Sequence, residues 1–195
     1  PTETATSDFR NIAVSVVGEL FPGTQFAAGF ESANFTYQNL YDKQSEAGNV
    51  GGSSGNSDFG ERDYTAMYFE TSTGFMDGRG ELQLAGRQDD YSDFGSNFSY
   101  TIKGLFSVME NLTARASLGT GFKAPGLGSM FGNTSFSADY HIDYVYCEAN
   151  GIARPDCPED QVNTYISPNP NIGPEESETF NFGVIYDFDL YGSHS

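Results

Sequence analysis

The stretch between Phe131 and Pro168 has the best functional claim in this sequence. Cys147 and Cys157 stand there among Asn-Gly and prolines, without the C-x-x-C spacing of a zinc site and with only His141 near them. That setting predicts a disulfide closing a small loop in an oxidising compartment, and no metal. Around the pair lie Phe136, Tyr140, His141, Tyr144, Tyr146, Arg154 and Tyr165. Five of these, Tyr140, His141, Tyr144, Tyr146 and Arg154, form the candidate ligand-binding set, since aromatic rings with a guanidinium suit a ligand at a cavity mouth. They suit equally a loop packing on its own aromatics behind the disulfide, and both readings stay open.

The other candidates are thinner. Asp89, Asp90 and Asp93 offer oxygens to a hard cation, yet no glycine-containing calcium loop follows, so the expectation is a solvated acidic rim. Gly119-Thr120-Gly121 with Lys123 fits neither the Walker nor the dinucleotide pattern. His141 and His194 join no Ser/His/Asp or metal constellation. The sequence therefore predicts no enzyme site and no cofactor.

The elements that must position these residues are legible from period. Phe98, Tyr100, Ile102, Phe106 and Val108 alternate with Asn97, Ser99, Thr101, Lys103 and Ser107, with only Leu105 out of place. Leu112, Ala114, Ala116, Leu118 and Phe122 oppose Thr113, Arg115, Ser117 and Lys123. Phe180, Phe182, Val184, Tyr186, Phe188 and Leu190 oppose Thr179, Asn181, Gly183, Asp187 and Asp189. A period of two held this long predicts β-strands. Less regular strands are expected over 12–21, 24–37, 63–71 and 81–89. Their joints alternate in length. Short ones fall at Pro22-Gly23, Met76 to Gly80 and Glu110-Asn111, and long ones run from Leu40 to Arg62, Asp89 to Ser96 and Ala124 to Glu176. Such alternation marks an antiparallel up-and-down meander whose two ends meet different surroundings, as in a transmembrane β-barrel with periplasmic turns and extracellular loops.

Composition agrees. With 27 Asp and Glu against 9 Lys and Arg, the net charge of -18 excludes a nucleic-acid binder, which needs a basic patch to meet phosphates. The 23 glycines, 12 tyrosines and 17 phenylalanines suit an all-β protein with aromatic girdles. No apolar run is long enough for a membrane helix, but barrel strands never give one. A soluble lipocalin-like barrel shares the alternation with its apolar side inward. Strand length, loop polarity and the Arg87, Lys103 and Arg115 of the opposite face favour an apolar face toward lipid and a wet interior. Thus Phe98, Tyr100, Ile102, Phe106, Val108, Leu112, Leu118, Phe182, Val184 and Phe188 are expected to face lipid, and Arg87, Lys103, Arg115 and Asn181 the interior.

Three segments resemble the TonB-dependent outer-membrane receptors. They are Gly86-Arg87-Gln88-Asp89-Asp90-Tyr91-Ser92-Asp93-Phe94-Gly95-Ser96, the run from Leu112 to Gly121-Phe122-Lys123-Ala124-Pro125, and Asn169-Pro170-Asn171-Ile172-Gly173-Pro174-Glu175-Glu176 leading into Phe180-Asn181-Phe182-Gly183. The resemblance implies that residues 1–195 form part of a receptor barrel in the bacterial outer membrane. About seven strands are present, of the roughly 22 such transporters use, with 124–176 as a large extracellular loop. The N-terminal plug and the barrel's C-terminus are expected to lie outside this chain. Further implied are TonB-energised uptake of a scarce nutrient (an iron-siderophore, cobalamin, haem or a glycan), with the TonB complex acting through the plug and lipids of the outer membrane around the barrel. The alternatives are a structural or adhesive barrel without transport, and a self-associating barrel fragment with open edges.

Overall fold

A computed structural model describes residues 2–50 and 53–188. Asp189, Leu190 and His194 lie outside the described residues. In chain order the elements are β1 (Glu3–Phe21), β2 (Thr24–Tyr41), α1 (Lys43–Glu46), β3 (Ser53–Ser54), β4 (Asp58–Phe75), β5 (Gly80–Tyr91), β6 (Gly95–Met109), β7 (Leu112–Lys123), α2 (Leu127–Phe131), β8 (Ser135–Ile142), α3 (Tyr144–Ala149), a 3-10 turn (Arg154–Asp156), β9 (Glu159–Ile166) and β10 (Glu175–Tyr186). β1, β2, β4, β5, β6, β7 and β10 make a seven-stranded sheet in that order; β3, β8 and β9 make a separate three-stranded one. The expected strands are all present in the larger sheet, in the expected meander, and most are longer than read.

Hairpin chemistry sets the register. Arg79 donates its N–H to the Met76 carbonyl at 3.2 Å across Asp77 and Gly78, whose φ of 56° and 83° are those of an Asp-Gly type I′ turn. That turn's twist matches the strands it joins, so β4 and β5 pair without a slip from Phe75↔Gly80 to Tyr64↔Tyr91.

The expected loop pattern needs two corrections. The connection read as long from Asp89 to Ser96 is a tight turn at Ser92-Asp93-Phe94, because β5 and β6 pair right up to Tyr91↔Gly95. The stretch from 124 to 176 is not a plain loop either. It folds as α2, the β8–β9 hairpin and α3, with Phe136↔Tyr165 and Tyr140↔Gln161 in register. In addition, the β6–β7 register shifts between Ser107 and Met109, so Met109 and not Val108 opposes Leu112. A bulge there resets the apolar alternation by one residue.

Contacts divide the chain into two compact units. One, the sheet unit, comprises Phe9–Phe35, Arg62–Pro125 and the segment from Gly173 on; the other, the loop unit, comprises Thr36–Glu61, Gly126–Ile172 and the residues up to Asp8. In the sheet unit, register carries one apolar face across four strands: Leu84, Ile102, Leu118 and Phe180 form one row. The opposite face carries the row Gln83, Lys103, Ser117 and Asn181. The apolar side is open among the described residues of this unit: Phe98, Phe180 and Phe182 are 60%, 73% and 68% exposed. The loop unit has a small core of its own, with Leu127, Met130, Cys147 and Cys157 buried.

Candidate functional site

The polar face of the sheet carries ordered charge. Arg87 on β5 donates from Nε to both carboxylate oxygens of Asp89, at 2.9 and 3.1 Å, and from Nη2 to Glu31 on β2 at 2.9 Å. Tyr64 donates its hydroxyl to the same Glu31 at 2.9 Å, and the ring of Tyr68 lies 6.0 Å below the Arg87 guanidinium. Residues 87 and 89 share a face because they are two apart on a strand. Asp89 is fully buried. A carboxylate can lie there because the Arg87 guanidinium supplies charge and, through one Nε–H shared between both oxygens, hydrogen bonding that water would otherwise give.

A second cluster ties the end of β7 to β4. Arg62 reaches Asp93 with Nε at 2.8 Å and Nη2 at 2.7 Å, and Nη2 also donates to the carbonyl of Pro125 at 2.7 Å. Its guanidinium lies over the rings of Tyr91 and Phe94, 5.7 and 5.2 Å from their centroids. The Gly-Phe-Lys-Ala-Pro element thus has a physical purpose that the sequence did not disclose. Its terminal carbonyl is the acceptor that fixes where the strand stops. The acidic run is corrected as well. Asp89 and Asp93 are Arg partners with buried side chains, while Asp90 is exposed on the other face, where it takes the Ser96 hydroxyl, so the solvated reading holds for Asp90 and fails for the other two. Among the described residues no cluster of His, Cys, Asp or Glu could hold a metal.

The hollows of the sheet open on this polar side. One of about 470 Å³ is lined by Gln83, Lys103, Leu105, Arg115, Ser117 and Asn181. Smaller ones of about 290 and 260 Å³ lie by Thr101, Gly119, Ser177 and Thr179, and by Glu70, Arg87 and Ser99. By register, Lys103, Arg115 and Asn181 share this polar face with Arg87, and the aromatic rows stand on the other.

In the loop unit a disulfide joins Cys147 to Cys157, with their Cα atoms 5.9 Å apart. It links α3 to the segment just after the 3-10 turn. Asp143 caps α3 by accepting the Tyr146 N–H at 2.8 Å. The bridge draws Arg154 over the Tyr144 ring, 5.2 Å from its centroid. Of the candidate ligand residues, these two meet. Tyr140 and His141 are neighbours on β8 and leave opposite faces, and Tyr146 is exposed on α3. A different hollow, of about 550 Å³, is lined by Asn39, Tyr41, Asp58, Ser129, Phe136 and Ser167 among others, and by none of the five. Its residues come from four separated segments, which no local pattern could have connected.

A long antiparallel meander, polar and ion-paired on one face and apolar on the other, is the wall of a transmembrane-type β-barrel, of which this is a partial, open sheet. The family comparison is specific: the TonB dependent receptor-like β-barrel model matches residues 2–193, and the chain belongs to that family. Among solved structures, a ferric enterobactin receptor (PfeA) variant from Pseudomonas aeruginosa in complex with enterobactin aligns at 18% identity and a TM-score of 0.70. That alignment covers 95% of this chain and 25% of that one. The siderophore receptor PirA from Acinetobacter baumannii aligns at 17% identity and TM-score 0.65, over 96% of this chain and 26% of its own. PirA from Pseudomonas aeruginosa gives 19%, 0.62, 95% and 30%. The chain spans about a quarter to a third of the length of these receptors. No curated protein sequence matches it.

Proposed function

We propose that this chain is barrel wall from a TonB-dependent receptor of the bacterial outer membrane, a protein that takes up a scarce nutrient and performs no catalysis. The observation that carries the reading is the division of one sheet into an exposed apolar face and an ion-paired polar face. Lipids of the outer membrane then cover Ile102, Leu118 and Phe182, while the ion-paired Arg87 wall faces a wet interior. Family membership supports energising by the TonB complex through a plug carried elsewhere in the parent protein. The siderophore receptors among the structural neighbours favour an iron-siderophore as the nutrient. Residues 124–176 belong to the extracellular side in this reading, with Tyr144 and Arg154 the best placed of the candidate ligand residues.

The test is transport. Cells carrying the intact parent gene, cells with it disrupted, and complemented cells are compared for uptake of radiolabelled iron from a panel of ferric siderophores under iron limitation. Loss of uptake from one siderophore on disruption, restored by complementation, is the expected result. Unchanged uptake of every siderophore, with cobalamin, haem and glycan uptake also unchanged, overturns the receptor reading in favour of a structural or adhesive barrel.

A further inference from the structure

We propose that Lys103 and Arg115 form a binding site for a carboxylate group carried on an apolar frame, in the 470 Å³ hollow of the polar face. The proposal rests on the reading that this face lines a barrel interior. Register brings the two cations together: Lys103 opposes Ser117, and Leu105 opposes Arg115, so the pair are diagonal neighbours on one face of β6 and β7. Long side chains at such positions reach a common point.

Charge singles them out. In a chain with only 9 basic side chains against 27 acidic ones, the other cations from β4 to β7 are committed, and Arg10 stands apart, exposed on β1. Arg62 is held by Asp93, Arg87 by Glu31 and Asp89, and Lys123 by Glu175, while Arg79 donates to the carbonyls of Ser107 and Val108. Among the described residues, Lys103 and Arg115 enter no ion pair. The carboxylate bordering the same hollow, Glu81, is engaged by neutral donors instead, Ser72 at 2.9 Å and Gln83 at 2.7 Å.

The hollow is shaped for an occupant. Gly183 opposes Arg115, and a Cβ there would lie 2.9 Å from Arg115 Nε and 3.4 Å from its Cγ. The bare backbone lets the guanidinium lie flat across the sheet, with its planar fork free for two parallel bonds to a carboxylate. Lys103 adds a point charge, and the Ser117 hydroxyl and Asn181 amide, on the same wall, add neutral donors. Leu105, which breaks the polar pattern of β6 on this face, stands beside Arg115 and offers a surface to the carbon frame. The carboxylate belongs either to a free organic acid or to an acidic side chain elsewhere in the parent protein.

The experiment uses the full-length parent receptor in detergent, with K103Q/R115Q, the conservative K103R/R115K, and Lys123→Gln as an exposed control. Heat-modifiable gel mobility verifies that each is folded, and single K103Q and R115Q variants serve if the double does not fold. Binding of 4-fluorobenzoate is followed by fluorine NMR at low salt. If the acid is free, wild type and K103R/R115K bind the probe at least tenfold more tightly than K103Q/R115Q, and Lys123→Gln matches wild type. If the acid is the receptor's own, the probe does not bind wild type. Salt then lowers the wild-type Tm, and K103Q/R115Q has a reduced Tm that salt no longer changes. No probe binding together with an unchanged Tm overturns the site. Facing is tested apart: Ser117→Cys should react with a membrane-impermeant maleimide in whole-membrane preparations, and Leu118→Cys should not. The reverse labelling overturns the interior reading itself, and the site with it.

Discussion

The sheet unit and the loop unit reach stability by opposite routes. The sheet unit has an unbroken twelve-pair ladder between β5 and β6 and another between β7 and β10, but almost nothing apolar is buried in it. Its buried apolar residues are Ala33 and Ala66, and its large ones, such as Phe98, Ile102, Leu118, Phe180 and Phe182, stand exposed. The loop unit has short strands and short helices, yet it buries Leu127 and Met130, closes a disulfide and caps its helices with Asp42 and Asp143. One region borrows its hydrophobic stabilisation from whatever covers it; the other makes its own. Substitutions that expel lipid or break an ion pair should therefore act on the sheet, and reduction or acid on the loop unit.

The largest effect is expected where the sheet unit departs from this rule and relies on an internal anchor. Arg62→Ala leaves Asp93 buried without its charge partner, with the Phe94 N–H still bonded to it, and takes away the donor to the Pro125 carbonyl, a loss of about 3–5 kcal/mol. Urea unfolding of the parent receptor in a bilayer should show it, with Arg62→Lys intermediate because an ammonium cannot reproduce the fork geometry. Next comes the asymmetry of the two faces. Ile102→Arg should cost roughly 2–4 kcal/mol by placing a charge in lipid, whereas Thr101→Arg, one residue away on the wet face, should cost little. Equal costs at the two positions would dissolve the distinction between the faces.

How much of this was readable beforehand follows from the range of the interactions. Strand identity and facing depend on a local period of two, so Phe98 to Ile102 and Phe180 to Val184 were sorted correctly without coordinates. The family elements were equally local. The β8–β9 hairpin was missed although Phe136, Ala138, Tyr140 and Ile142 alternate, because helical turns and a long excursion separate its strands. Arg62 was missed for a sharper reason: its partners are 31 and 63 residues away, and nothing near Arg62 hints at either. The acidic run was misread because a carboxylate's neighbours in sequence do not say whether an arginine will reach it.

Cutting the disulfide separates the units from the other side. Cys147→Ser/Cys157→Ser restores the freedom of the closed loop in the unfolded chain, worth about 2–3 kcal/mol on the chain-entropy account. The loss should appear as faster hydrogen exchange in β8, α3 and β9, and as release of Arg154 from Tyr144. Amides of β5 to β7 should keep their protection. Loss of protection across both would mean that the loop unit has no stability of its own.

The smallest expected effect is a proton. Asp42 caps α1, and its carboxylate accepts the Thr2 N–H at 2.6 Å, then the Ser45 and Gln44 N–H groups at 3.2 and 2.9 Å, and the Ser45 hydroxyl at 3.1 Å. Those donors, the Thr2 N–H first, favour the ionised form and hold its pKa at about 2, below the ordinary 3.8. Because the folded state lowers the pKa, the cap's contribution is complete above 3.8 and is lost as pH falls through about 2. Carbon NMR of the Asp42 carboxyl in labelled receptor should titrate at that low value. Hydrogen exchange of 43–46, corrected for intrinsic rates, should quicken over the same window in wild type. In Asp42→Asn the carboxamide oxygen still accepts but carries no charge, so exchange there should be faster throughout and flat with pH. A wild-type profile as flat as the variant's would show that the cap's hydrogen bonds do not depend on charge, and that the loop unit's acid sensitivity lies elsewhere.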